Sequence, residues 1–100
     1  MISIIVPVFN EEAGLKKFIL NLQKHISGEK AELIFIDGGS TDKTVEICKE
    51  FGHKIYVSPI KGRASQMNYG AEKSNGDILY FLHADSLPPK NFIKDILKSI

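Results

Sequence analysis

The stretch Ser3-Ile4-Ile5-Val6-Pro7-Val8-Phe9 decides the fold. It is an apolar, largely β-branched run broken only by Pro7, and it gives way at once to Asn10-Glu11-Glu12. A strand with one wet face alternates apolar and polar residues. An unbroken apolar run suits a strand covered on both faces, and such strands belong to parallel sheets. Counted from Met1, the run is far short of the roughly 20 residues that cross a bilayer. It also lacks the basic flank and small-residue cleavage site of a signal peptide.

Outward from this strand, the periodicity changes type repeatedly. Leu15, Phe18, Ile19, Leu22 and Ile26 recur at helical spacing, with Asn10 as a candidate cap, Glu11 and Glu12 suited to the positive end, and Gly28 as a closing residue. Glu32 to Ile36 reads as a second strand. Ser40 or Thr41 can cap a second helix carrying Val45, Cys48 and Phe51, closed by Gly52. Lys54 to Ser58 reads as a third strand, and Ala64, Met67 and Ala71 mark a third helix ended by Asn75-Gly76. Asp77 to His83 is the fourth and most apolar strand. Pro88-Pro89 then opens a fourth helix with Phe92, Ile93, Ile96, Leu97 and Ile100 on one face. The order βαβαβαβα predicts an α/β fold: an open parallel sheet with helices on both faces, a Rossmann-like half.

Bulk properties narrow the class. One hundred residues make one small domain, and 43% hydrophobic with 25% charged residues is globular rather than disordered composition. Thirteen basic against twelve acidic residues, a net charge of +1, leave no basic stripe for nucleic acid. Cys48 is the only cysteine, which excludes a disulfide framework or thiolate cluster and fits a reducing cytoplasm. The last helix stops at Ile100 in mid-pattern with no closing signal, so residues 1–100 are expected to be part of a larger domain. Its apolar face (Phe92, Ile96, Ile100) could then drive self-association.

In open α/β sheets, ligands bind outside the carboxyl ends of the strands, where strand order reverses. Asn10, Glu11 and Glu12 follow the first strand here, Asp37-Gly38-Gly39-Ser40-Thr41-Asp42 the second, Lys61-Gly62-Arg63 the third, and His83, Asp85 and Ser86 the fourth. With strand order 3-2-1-4, Pro7 to Glu11 face His83 to Asp85 across the crevice. Gly38-Gly39 before a helix start lets backbone approach an anion, or simply makes a tight turn. Asp37 ends an apolar strand, where a carboxylate needs a partner: a ribose hydroxyl, a base N–H or a neighbouring backbone amide. Asp85 could hold Mg²⁺ or Mn²⁺ against a diphosphate, or cap the turn that follows it. Lys61 and Arg63 could offset phosphate charge or form a solvated surface pair. His83 could pack at the strand end, touch a ligand or supply a metal nitrogen. His25 and His53, near helix ends, are expected to face solvent, and Cys48 the core.

Four ordered motifs carry a resemblance. Ser3 to Glu12 resembles the opening of family 2 glycosyltransferases, and Glu32 to Thr44 resembles their second-strand motif. Gly62-Arg63-Ala64-Ser65-Gln66-Met67-Asn68-Tyr69-Gly70-Ala71 looks like the helix before the metal strand. Gly76 to Ser86 resembles the strand bearing the Asp-x-Asp motif. The resemblance implies the nucleotide-binding half of a GT-A type fold, an inverting enzyme that moves a sugar from a nucleoside diphosphate sugar to an acceptor hydroxyl. By analogy, Pro7, Asn10 and Glu11 line the nucleoside pocket, Asp37 reads ribose or base, and Gly39, Arg63, Asn68 and His83 lie near the nucleotide. Asp85 then binds Mg²⁺ or Mn²⁺ on the diphosphate. The implied place of action is the cytoplasm or the cytoplasmic face of a membrane. Two departures stand out. Gly38 replaces a frequent second Asp that helps read the base, and His83 replaces the first Asp of Asp-x-Asp, as in a prokaryotic subgroup with His-Ala-Asp. The family's catalytic base comes from the half after this segment, so the isolated chain is expected to transfer sugar slowly or not at all.

Other readings fare worse. A dinucleotide dehydrogenase needs G-x-G-x-x-G after the first strand, where this chain has Val8-Phe9-Asn10-Glu11. A nucleotide-sugar pyrophosphorylase needs a glycine-rich loop at the same place, and a receiver domain needs an Asp after the third strand, which ends here in Ser58-Pro59. A P-loop is absent. The remaining alternative is a non-catalytic nucleotide-binding or assembly module.

Overall fold

The computed structural model describes residues 1–26 and 31–84. The expected closing Gly28, the metal candidate Asp85 and the fourth helix lie outside them. The elements are β1 (Ile2–Val8), α1 (Glu12–Ile26), β2 (Ala31–Asp37), α2 (Thr44–Glu50), β3 (Lys54–Val57), α3 (Arg63–Lys73) and β4 (Ile78–Phe81). All strand pairs are parallel and the order is β3-β2-β1-β4, so β1 is central and the order reverses between β1 and β4.

Side-chain alternation assigns the two faces. Ile2, Ile4, Val6 and Val8 of β1, with Leu33 and Phe35 of β2, pack against Leu15, Phe18, Ile19 and Leu22 of α1 and Ile47 and Cys48 of α2. Ile5, Ile34 and Ile36 point the other way, with Tyr56 and Tyr69 against them, and α3 covers that side. Gly70 permits the close approach: a Cβ there would sit 2.4 Å from the Ile5 side chain. Every residue of β1 is buried, as its unbroken apolar run implies.

β4 shows the limit of the same rule. It is apolar throughout, yet Leu79 and Phe81 are each 40% exposed. The reason is topological: β4 lies at the end of the strand order and α3 packs on β1 and β2, so among the described residues that face of β4 is uncovered. Apolar content marks what a strand is suited to bury, and only its position in the sheet decides whether it does.

Pro7 sets where the sheet opens. Leu82 donates its N–H to the Ile5 carbonyl at 3.0 Å. Backbone polar groups alternate sides along a strand, so position 7 also points toward β4. Proline has no hydrogen to give, and the β1–β4 pairing ends at Ile5–Phe81 while β1–β2 runs on to Val8–Asp37. The crevice at the reversal of strand order is therefore written into one residue of the central strand.

The opposite edge is clamped. Glu32 accepts from Ser3 Oγ at 2.6 Å, from the Asn75 amide at 2.6 Å and from Lys54 Nζ at 3.1 Å. Burial raises the Glu32 pKa, but these donors and the Lys54 charge outweigh it and bring it down to about 2. His53 is half-buried against Phe35, its ring 5.6 Å away, with Gln23 Nε2 at 2.9 Å from His53 Nε2. The expectation of a solvent-facing His53 fails because the turn after α2 folds it back onto the core, and burial lowers its pKa. His25 is likewise partly buried, its Nδ1 2.9 Å from the Asn21 carbonyl. Among the described residues no helix is long and apolar enough to cross a membrane.

Candidate functional site

The loops after β1 and β2 hold each other. Asn10 takes φ 51°, a left-handed conformation that asparagine tolerates better than most residues. Its Oδ1 accepts the Thr41 amide at 2.8 Å, and its own N–H is received by Ser40 Oγ at 2.8 Å. The Glu11 amide donates to Thr44 Oγ1 at 2.9 Å, and the Glu12 amide to Asp42 at 3.2 Å. Asp42 also takes the Thr44 amide and hydroxyl, and Glu12 returns a carboxylate to the Lys43 amide at 3.1 Å. The Thr44 hydroxyl leads the groups that lower the Asp42 pKa.

This mesh changes three expectations. Asn10 does not cap α1; Asp42 from the neighbouring loop receives the amide of its first residue. Neither Ser40 nor Thr41 caps α2, which starts later, at Thr44. The loop leading into α2 does not offer the expected free amides to an anion, because side chains already engage those of Gly39, Ser40, Thr41 and Lys43, and Asp42 takes that of Thr44, the first residue of the helix. Short polar side chains cap across the loops here, and linear spacing cannot show that.

Asp37 is 2% exposed and satisfied locally: it accepts the Gly39 and Ser40 amides at 2.9 Å each and the Ser40 hydroxyl. Of the three partners open to it, the neighbouring amides are the ones present. Its charge adds to burial in raising the Cys48 thiol to about 12, so Cys48 is a core residue and not a nucleophile.

A hollow of about 310 Å³ opens on the α3 side of the same edge, lined by Phe9, Gly38, Lys61, Gly62, Arg63 and Gln66. Phe9 is 52% exposed. Gly62 takes φ 115° to turn the chain into α3, whose first turn carries no side-chain cap. Gln66 is the buried polar residue of the wall. Its Nε2 donates to the carbonyls of Val8 at 3.0 Å and Ile36 at 2.9 Å, bracing β1 and β2 where they end.

The expected site residues therefore divide. Arg63 lines this hollow, while Pro7, Asn10, Glu11, Asp37 and Gly39 build its strand ends and the adjoining loop mesh. Asn68 lies elsewhere, on a hollow of about 250 Å³ with Ser65, Tyr69 and Ser58. His83 is exposed just past β4. Phe9 and Gln66 were not among the expected residues. Phe9 reads as the end of a buried run, and Gln66 is one of several polar residues of α3, with Ser65 and Asn68 close by, so its type alone does not mark it as the buried one.

Comparison with known proteins assigns the chain. Residues 3–100 match the family model described as glycosyl transferase family 2. An uncharacterized glycosyltransferase of Haemophilus influenzae is 42% identical over 91 residues, covering 85% of this chain and 36% of the relative. A dolichyl N-acetyl-alpha-D-glucosaminyl phosphate 3-beta-D-2,3-diacetamido-2,3-dideoxy-beta-D-glucuronosyltransferase of Methanococcus voltae is 32% identical over 106 residues, 98% of this chain and 33% of that protein. The chain thus spans about a third of the length of these relatives. Among solved structures, S. aureus TarS shares the fold with a TM-score of 0.86 at 23% identity, over 97% of this chain and 31% of that one. Glucosyl-3-phosphoglycerate synthase from Mycobacterium tuberculosis, in complex with Mn²⁺, uridine diphosphate and glucosyl-3-phosphoglycerate, matches with a TM-score of 0.81 at 26% identity, over 99% of this chain and 38% of that one. With its parallel sheet, its reversal of strand order at Pro7 and its match over nearly every residue, the chain belongs to glycosyl transferase family 2.

Proposed function

We propose that this chain is the nucleotide-sugar-binding part of an inverting glycosyltransferase, working with a divalent cation. The observation that carries the reading is the hollow beside Phe9, Lys61, Arg63 and Gln66, at the strand ends next to the reversal point, in a chain of this family. Phe9 offers an aromatic wall to a base, and Lys61 and Arg63 offer donors and positive charge. The diphosphate then runs toward the end of β4. Pro7, Asn10, Glu11, Asp37 and Gly39 hold the two strand ends at a fixed separation. Arg63 and His83 touch the ligand, with Asn68 on the outer side of α3. The lone buried Cys48 fits action in the cytoplasm or at the cytoplasmic face of a membrane.

The donor chemistry at β4 fits Mg²⁺ or Mn²⁺. Among the described residues no three His, Cys, Asp or Glu converge, and the Asp37 oxygens are already engaged. Asp85, two positions beyond His83, would supply a carboxylate oxygen and leave the other coordination sites to phosphate oxygens and water, the usual habit of these ions. When bound, the cation neutralises charge on the departing nucleoside diphosphate. In the relatives two thirds of the chain lies outside the matched segment, and the base that deprotonates the acceptor hydroxyl is assigned there. The isolated chain accordingly binds nucleotide and transfers sugar slowly or not at all, and self-association through the apolar face of residues 92–100 is the companion proposal. Light scattering tests the latter.

Thermal unfolding against nucleoside diphosphates and their sugars, with and without Mn²⁺, tests the reading. A ligand at 100 times its dissociation constant stabilises by about 2.7 kcal/mol, and each kcal/mol moves the midpoint by about 4–8 °C in so small a domain. The expected shift requires the cation and disappears in Asp85→Ala. No shift with any nucleotide in the presence of Mn²⁺ sinks the proposal.

A further inference from the structure

Gly38 and Gln66 are a matched pair. A Cβ on residue 38 would lie 3.0 Å from both Cδ and Nε2 of Gln66 and 3.1 Å from its Oε1, so the glutamine amide occupies the space a side chain at 38 would enter. The amide is fixed in orientation. Nε2 gives its hydrogens to the carbonyls of Val8 and Ile36, which only the nitrogen can do, and Oε1 is therefore the other end. Gln66 is 5% exposed, and Oε1 accepts no hydrogen bond among the described residues. No buried side-chain polar atom there is left without a partner, so Oε1 is not fully enclosed, and the open space beside Gln66 is the hollow that it lines.

We propose that Gln66 determines base specificity: its Oε1 is a rigid acceptor that reads the ring N–H of a nucleobase seated against Phe9. The inference rests on the nucleotide reading above. Around this acceptor the hollow supplies donors, from Lys61, Arg63 and the uncapped first turn of α3. An acceptor beside donors complements a ring N–H beside a carbonyl oxygen, the pattern of uracil, thymine and guanine. Cytosine and adenine carry a lone pair on the corresponding ring nitrogen, which would face Oε1 lone pair to lone pair. With both its hydrogens held by the strand ends, the amide cannot flip to suit them, and a side chain at 38 would push it away.

The test uses the full chain with Mn²⁺ and calorimetric titration of UDP, GDP, CDP and ADP. N3-methyl-UDP and N1-methyl-GDP, in which the ring N–H is blocked, complete the set. The expected result is that UDP or GDP binds about tenfold or more tightly than CDP and ADP, the scale of one hydrogen bond lost in a buried site, and that methylating the better base removes the preference. Gly38→Ala is expected to erase the same discrimination, read as the ratio of UDP or GDP affinity to CDP affinity. The methylated ligands need no variant to fold. Equal affinity for all bases, or no effect of methylation, overturns the role of Gln66 and leaves the nucleotide site standing. No binding by any nucleoside diphosphate overturns both.

Discussion

On the α1–α2 side of the carboxyl edge, two loops spend their polar groups on each other. Asp37 and Asp42 receive backbone amides of their own loop, Asn10 and Thr44 receive amides from the facing one, and little is left to offer a ligand. On the α3 side the same strand ends stop short. Gln66 braces them from below, and an exposed aromatic ring, two cations and two glycines surround an open hollow. On the proposed function, the difference separates rigidity from recognition: the meshed side fixes how far apart the strand ends sit, and the open side would use that spacing. Substitutions on the meshed side should therefore cost stability, and those on the open side should cost binding with stability almost intact.

The largest effect is expected at Asp37. Asp37→Ala removes a buried carboxylate that receives two amides and a hydroxyl. Hydrogen bonds to charged acceptors contribute more than neutral ones, and a loss of about 3 kcal/mol follows. Denaturant unfolding reads it, and a loss below about 1 kcal/mol would mean that water replaces the carboxylate without penalty. Thr44→Val comes next. It keeps the shape of a fully buried side chain and deletes the oxygen that receives the Glu11 amide at 2.9 Å. About 1–2 kcal/mol should go, and Thr44→Ser, which keeps the hydroxyl, should recover most of it. A Ser variant as unstable as Val would show that the methyl group, and not the hydrogen bond, is what matters.

This division also explains how much could be read in advance. The layered parallel sheet, its order 3-2-1-4 and the core stripe of α1 were legible because periodicity reports burial directly, and Leu15, Phe18, Ile19 and Leu22 are all buried as their spacing implies. The caps were not legible. Asn10 and Ser40 are 30 residues apart in sequence and bonded in space, and the local rule that a polar residue caps the next helix has no term for a neighbouring loop. The exposure of Leu79 and Phe81 follows from the place of β4 at the end of the strand order and not from the composition of Ile78 to Phe81. Within the site, Arg63 was legible as a charge beside a glycine, whereas Gln66 was hidden inside a helix, since nothing local says that its amide ends on two strand carbonyls.

The edge opposite the site offers a pH test of the same separation. The Glu32 pKa falls from its ordinary 4.5 to about 2 in the folded chain, where Ser3, Asn75 and Lys54 outweigh the opposing effect of burial. A carboxylate with a depressed folded pKa contributes stability that is fully present above the unfolded value and fades as pH falls toward the folded one. Stability should thus decline between pH 4.5 and about 2, and Glu32→Gln should flatten that part of the curve while lowering the plateau near neutrality. Because this clamp is at the far end of the strands, nucleotide affinity at neutral pH should be unchanged in Glu32→Gln. A parallel loss of affinity would show that the two edges are coupled through β1 and β2.

The smallest effect on stability, and the sharpest on function, is expected at Phe9. The ring is 52% exposed at the end of β1 and lines the hollow, so Phe9→Ala leaves no core cavity and should change unfolding free energy by no more than about 0.5 kcal/mol. Base–aromatic stacking is worth about 1–3 kcal/mol by the same substitution, which is about a tenfold or greater loss of nucleoside diphosphate affinity. The loss should be similar for every base, because stacking uses the face of the ring and not its edge. That separates it from Gly38→Ala, which should compress the ranking of the bases. Should Phe9→Ala instead unfold the chain as Asp37→Ala does, the open side would be part of the rigid frame, and the division of labour between the two sides would fail.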